Sequence, residues 1–388
     1  SLFMSIELTG INTRPAAVDG DMRIIARSLS LAEVASARGM QGLVTVDARG
    51  TVQAGALAGG SWQANLRRIA FDSSPRDANQ AQGAGDWRFD RIDMTGKLRR
   101  VAQGLRVDVG NFYVAPSNGA GATATLNIEL TDDDGSALIR SDRLPMPVAR
   151  FLLAVATRRA PTAWPTELDG DRGELQQLDV RWQRLDDATA PFTLRADARG
   201  LGARLPALQV SVADISGELT GASGSWSFVP AATQPVTLAY RSSQSAAAEI
   251  ANEVVTLEGK LSVTNPQASA AALQLEQLVV RAAATTMQID GDVSLLAGGP
   301  ILLTVSAAGA DAVVTRDALA RLAPDSTLVK ALSPLQGGRL AQADLLLHGV
   351  RDPDGTFQID RERSQLTAEV TALDWQVDGL DAPLRGSN

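Results

Sequence analysis

Hydrophobic and polar residues alternate with a period of two along most of this chain. Leu178, Val180 and Trp182 interleave with Asp179, Arg181 and Gln183, the mark of a strand with one dry face and one wet face. The pattern is already present at Leu2, Met4, Ile6 and Leu8. It recurs at Met22 to Leu29, Leu43 to Ala48, Val52 to Leu57, Trp62 to Phe71, Trp87 to Met94, Leu98 to Val101, Leu105 to Val114 and Ala122 to Leu130. Gly96, Gly104 and the Ser117–Gly121 stretch read as breaks between these strands. Beyond Leu175 roughly a dozen more strands are predicted as far as Leu303. Others follow at Leu340 to Leu347, Thr356 to Ile359, Gln365 to Leu373 and Trp375 to Leu380.

Three segments break the alternation with helical spacing. Met146 to Arg159 carries Val148, Phe151, Leu152, Val155 and Ala156 as a broad apolar stripe, with Arg150 and Thr157 near its edges. Pro145 and Pro147 suit its first turn, Arg158 and Arg159 suit the negative end of its dipole, and Pro161 stops it. A second helix is predicted over 311–322, and Ser30 with Glu33 has capping-box spacing for a short helix to Arg38. Closely spaced strands with few crossover helices define an antiparallel meander, so the fold class is mainly β. The expectation is an elongated, twisted antiparallel sheet forming a curved hydrophobic groove, with two or three short helices. Its predicted parts are a β-rich segment over 1–143, an apolar helix over 144–160 and a long β-meander over 161–388.

Composition narrows the function. The chain has 388 residues, 45% hydrophobic and 21% charged, which is the balance of a folded protein. A net charge of −8 opposes attraction to nucleic acid, so no nucleic-acid partner is expected. No apolar run is long enough to span a bilayer; the nearest is Pro147 to Ala156. Aromatic residues at 4% with two tyrosines do not supply the girdles of an outer-membrane barrel. The beginning at Ser1 and the end at Asn388 read as cuts in a longer chain.

The sequence also lacks the parts of familiar active sites. One histidine and no cysteine leave no Cys–His pair and no multi-histidine zinc site. His348, inside Leu345-Leu-Leu-His-Gly, reads as a strand-end residue. Asp169-Gly-Asp171-Arg-Gly173-Glu174 resembles a calcium loop only in outline, because Glu174 stands where such a loop needs glycine. Asp132-Asp-Asp134-Gly135 and Asp352-Pro-Asp354-Gly355 are hairpin turns. No catalytic residue, metal site or cofactor is assigned.

Several stretches together resemble the middle portion of the YhdP family of AsmA-like, TamB-related envelope proteins. They are Gly-Asp-Trp87-Arg-Phe-Asp-Arg-Ile-Asp-Met-Thr-Gly, the helix followed by Trp164-Pro165, Gly173-Glu-Leu-Gln-Gln-Leu-Asp-Val-Arg-Trp182, Leu205-Pro through Ile215-Ser-Gly-Glu-Leu-Thr-Gly, and Leu335-Gln-Gly-Gly-Arg-Leu-Ala-Gln-Ala-Asp-Leu-Leu-Leu-His348-Gly. The chain departs from the family at Gly355-Thr-Phe-Gln, where a Phe-Pro-Phe-like segment is expected, and at Trp375, which no proline follows. The resemblance implies a periplasmic body anchored in the inner membrane of a Gram-negative bacterium by an amino-terminal helix missing here. It also implies possible outer-membrane contact through a missing carboxyl-terminal part, and phospholipid acyl chains as cargo.

Physical reasoning leads the same way. A sheet with one apolar face needs a cover, and two or three short helices are too few for it. An acyl chain of about sixteen methylenes buries roughly 13 kcal/mol before entropic costs, so aliphatic contact alone holds a lipid. The candidate groove residues are Ile6, Leu8, Leu105, Val107, Leu126, Ile128, Leu130, Phe151, Leu152, Val180, Leu194, Leu273, Leu275, Ile289, Leu303, Leu345 and Leu347. The helix from Met146 is either a cover that closes a core or a plug lying in the groove. The alternatives are a closed β-scaffold or adhesin-like structural protein, and a TamB-like assembly factor that offers its sheet edge to a client strand.

Overall fold

The computed structural model describes residues 20–33, 40–53, 56–71, 88–157, 172–184, 191–205, 210–223, 225–241, 250–264, 272–282, 285–294, 296, 298–313, 315–317, 332–352, 357–360, 362–376 and 384–385. The protein is mainly β, with 21 strands in one sheet among these residues, and every pairing of defined register is antiparallel. The predicted strand at residues 2–9 with Ile6 and Leu8, the loop at 75–85, Trp87 and Trp164 lie outside the described residues. By internal contacts the chain divides into two units, the first comprising residues 1–166, 170–199 and 220–223 and the second 167–169, 200–219 and 224–388.

The first unit is a meander in which each strand pairs with its neighbours in sequence. It contains β1 (Gly20–Ser30), β2 (Met40–Gln53), β3 (Ala56–Phe71), β4 (Arg88–Val101), β5 (Gly104–Pro116), β6 (Ala122–Thr131), β7 (Ala137–Pro145), β8 (Glu174–Trp182) and the first part of β9 (Phe192–Leu205). Helix α1 (Met146–Thr157) stands between β7 and β8. One predicted strand and one predicted break are corrected. Val52 to Leu57 is not a strand but spans the end of β2 and the start of β3. Gly96 does not end a strand: β4 runs through it, and a Cβ there would lie 2.7 Å from the Trp62 ring, so the glycine makes room for the indole across the β3–β4 pair. Strand β7 is an addition, since no strand was predicted between Leu130 and Met146.

In the second unit β10 (Val210–Ala222) pairs with β12 (Pro235–Arg241), while β13 (Ile250–Thr264) pairs first with β12 and then with β11 (Ser225–Pro230). The meander continues through β14 (Ala272–Arg281), β15 (Thr286–Ser294), β16 (Pro300–Ala308) and β18 (Leu335–Arg351). The 17-residue β18 has two short partners on each flank. These are β16 and β17 (Ala310–Asp311) on one side, and β19 (Phe357–Ile359) and β20 (Gln365–Trp375) on the other. The two-residue β21 (Leu384–Arg385) pairs with the end of β20.

Single-residue bulges keep the alternation in phase. Ser28, Gln177, Gln277 and Ala372 have positive φ where the pairing register shifts by one. Each bulge absorbs an extra residue that would otherwise turn the rest of its strand inside out.

A related device appears twice. Strands β7 and β8 are paired with α1 inserted between them, and β16 and β18 are paired with helical residues Ala312–Val313 and Thr315–Asp317 inserted. Both returning strands carry the spacing Gly-x-Leu-x-Gln-x-Asp, at Gly173, Leu175, Gln177 and Asp179 and at Gly338, Leu340, Gln342 and Asp344. Both leucines are buried. Both aspartates face the strand before the helix: Asp179 accepts from Arg140 at 3.2 Å and Asp344 from Ser306 at 2.7 Å.

Candidate functional site

Register converts the sequence alternation into a surface. In the first unit Gly50, Gly60, Leu98, Val107, Ile128, Ile139, Val180 and Leu194 are successive cross-strand partners from β2 to β9. At roughly 4.8 Å per strand this row extends about 34 Å, more than the ~15 Å of one bilayer leaflet's hydrocarbon. A flanking row holds Leu105, Leu130, Ala137, Trp182 and Phe192. In the second unit Leu261, Leu275, Gly291, Leu303 and Leu347 form one such row, and Leu278, Ile289, Val305, Leu345 and Leu366 another.

Within each unit the strand residues predicted for the groove therefore lie on one face. Leu105, Val107, Ile128, Leu130, Val180 and Leu194 in the first unit are half-buried, as are Leu273, Leu275, Ile289, Leu303 and Leu345 in the second. Leu126 at 5% exposure and Leu347 at 9% are buried instead, so they belong to closed packing.

Helix α1 closes one end of the first unit's apolar face by packing on β5, β6, β7 and β8. Phe151, 4% exposed, meets Phe71, Phe89 and Phe112 edge-on with ring centroids 6.1, 5.3 and 5.8 Å away, the geometry in which ring edges meet the faces of other rings favourably. Val148, Ala154, Ile92 and Val114 are fully buried around them. The predicted stripe is corrected at two positions. Val155 is 37% exposed, so it points away from the sheet, and Arg150, placed near the edge, is 6% exposed. Leu152 is half-buried. Of the two readings of this helix, the packing is that of a cover on a closed core.

In the second unit Asp311 caps the helical residues, its carboxylate accepting from Val313 N–H at 2.8 Å. They lie by a small core of Ala310, Ala312, Leu335, Leu340 and Ala343, with Trp375 against it. Arg316 donates to the carbonyl of Leu335 and pairs with Asp317 at 2.7 Å. This fastens the helical turn to the start of β18.

The opposite face is wet and salt-bridged. Asp108 pairs with Arg99 at 3.4 Å and Arg106 at 3.0 Å, and Arg106 reaches on to Glu129 at 3.3 Å. The Arg23 hydrogen bond holds the Asp47 carboxyl below its usual pKa. Ser306 and Gln342 do the same for Asp344. For Glu174, burial pushes the pKa up, but hydrogen bonds from Gln176 and Arg143 outweigh it and the net shift is downward. A depression on this face is lined by Asp47, Arg49, Gln63, Thr95, Lys97 and Asp108; none of the predicted groove residues lines it.

His348 is half-buried in β18, and its backbone N–H donates to Ser364 Oγ at 3.0 Å. Among the described residues no group of three His, Asp or Glu side chains is placed to hold a metal. None of the helices described is long and apolar enough to cross a membrane. Comparison with protein-family models, with curated proteins and with solved structures finds no match.

Proposed function

We propose that the apolar faces of the two units bind lipid acyl chains and that the chain has no enzymatic activity. In this reading it is the periplasmic part of a longer, inner-membrane-anchored protein of a Gram-negative bacterium, carrying phospholipid between the inner and outer membranes. The envelope setting rests on the family resemblance.

The observation that carries the lipid reading is the continuous in-register apolar row from Gly50 to Leu194, half-buried at Val107, Ile128, Val180 and Leu194. Such a row offers many near-equivalent aliphatic contacts and no polar anchor along its length. An acyl chain gains about 0.8 kcal/mol per methylene wherever it lies, so it is held without being fixed. Mass spectrometry of an organic extract from detergent-free protein tests this, with phospholipid expected at one or more per chain. The closed core around Phe151 favours a second reading, a scaffold whose apolar face protein already covers. A folded, soluble protein with a lipid-free extract establishes that one instead.

A further inference from the structure

Among the described strand residues of the first unit's apolar face there is a single charged side chain, and we propose that it receives the headgroup of a bound lipid. Arg100 follows Leu98 on that face of β4 and is the cross-strand partner of Leu105, whose own partner is Leu130. It sits at the end of β4 remote from Phe89 and α1. Its side chain is 48% exposed, and its guanidinium pairs with Asp132. The other arginines of β4 and β5 lie on the wet face, where Arg99 and Arg106 converge on Asp108.

The pair is built on a fixed junction of two turns. Asp132 N–H donates to the Gln103 carbonyl at 3.1 Å, which ties the β6–β7 turn to the β4–β5 turn. A Cβ on Gly104 would stand 1.8 Å from the Leu130 carbonyl oxygen, so only glycine allows that approach. Asp133, next in sequence to Asp132, is exposed. The junction thus offers one guanidinium paired with a carboxylate, with a second carboxylate on the following residue, at the rim of the apolar rows.

That arrangement is complementary to a headgroup that joins a phosphate to an ammonium. The guanidinium presents paired donors to phosphate, and Asp132, released from Arg100 or shared with it, together with Asp133 faces the ammonium. A purely anionic headgroup meets the same aspartates as repulsion. The acyl chains then extend from the rim toward Leu105, Leu130, Val107 and Ile128. Arg351 repeats the placement in the second unit. It follows Gly349 on the apolar side of β18, at the end remote from the helical turn, and is half-buried. The inference rests on the lipid reading above.

The test equilibrates the full chain with vesicles of a zwitterionic phosphoglyceride, an anionic phosphoglyceride or diacylglycerol, all with the same acyl chains, and measures co-purifying lipid by mass spectrometry. The wild-type protein is expected to take up the zwitterionic lipid best. The double variant Arg100→Gln/Arg351→Gln should lose about tenfold of that uptake, the scale of one charge-assisted contact, while its diacylglycerol uptake and melting temperature stay unchanged. Asp132→Asn should narrow the preference for zwitterionic over anionic lipid. If the wild-type protein takes up lipid but neither variant alters the preference, the headgroup site is overturned and the acyl reading stands. If it takes up none of the three, both fall.

Discussion

The strand pairs β7/β8 and β16/β18 are built alike and covered differently. Each returns after a helical insertion, each second strand carries the same Gly-x-Leu-x-Gln-x-Asp spacing, and each aspartate reaches back across the pair. In the first, α1 drives Phe151 into three other phenylalanine rings. In the second, the helical residues meet a core of alanines and two leucines, with one tryptophan beside it. The backbone pairing is equivalent, so the size of the closed core is decided by the side chains packed beneath the insertion. Away from these insertions the apolar face is half-buried at Val107, Ile128, Leu303 and Leu345, while Val236, Val255 and Val280 form a buried cluster with Ile289 packed against it.

The sharpest way to break this comparison is to remove the largest cover. Phe151→Ala should cost about 3–5 kcal/mol, seen as a lowered urea midpoint for the first unit. A loss under 1 kcal/mol would mean that the ring cluster closes nothing. Leu340→Ala, in the smaller core, should cost roughly 2–3 kcal/mol, near the lower end for such truncations, and an equal or larger loss than Phe151→Ala would reverse the ranking.

Outside the covers the readout changes from stability to cargo. Ile128→Asp or Leu303→Asp should lower bound lipid about tenfold at a cost near 1–2 kcal/mol, since the charge meets water but repels an acyl chain; strand content by circular dichroism should persist. Unchanged lipid in a well-folded variant removes those positions from the binding face.

The smallest expected effect is electrostatic. The Asp344 carboxyl is held below its usual value of 3.8 by Ser306 and Gln342, so it titrates lower in the folded chain than in the unfolded one. Its contribution is fully present above that usual value and is lost as pH falls through the lowered folded one. Asp344→Asn should therefore lower stability slightly at neutral pH, flatten the acid limb of the stability–pH profile and converge with the wild type in acid. A difference from the wild type that stays the same from neutral to acid pH contradicts the assignment.

Much of this was legible in the sequence. Period-two alternation marks the apolar face because strand side chains alternate strictly, and Leu105, Val107, Ile128 and Leu130 fall on that face as the pattern says. The exposure of each position was not legible. Ile128 and Leu126 sit in the same strand on the same face, yet Leu126 is buried and Ile128 half-buried, a difference that alternation does not encode. The continuity of β4 through Gly96 is not legible, because a glycine beneath an indole looks in sequence like a glycine in a turn. That β11 and β12 share β13, and that β16 and β17, and β19 and β20, share β18, was not legible, because a strand's own pattern does not say which strand it pairs with. The position of Arg100 is not legible in the sequence for the opposite reason: a charged residue at a strand end looks ordinary until register shows which face it shares.

Among the described residues, each strand from β1 to β8 bonds to the strands next to it in sequence. Such a chain has little loop entropy to surrender before its contacts form, so assembly can proceed hairpin by hairpin from either end. Stability then behaves as a sum of neighbour terms rather than as one indivisible unit. An early-folded portion would already display the full width of its apolar strip, and a strand added or lost at the margin would lengthen or shorten that strip by about 4.8 Å without redesign of the rest.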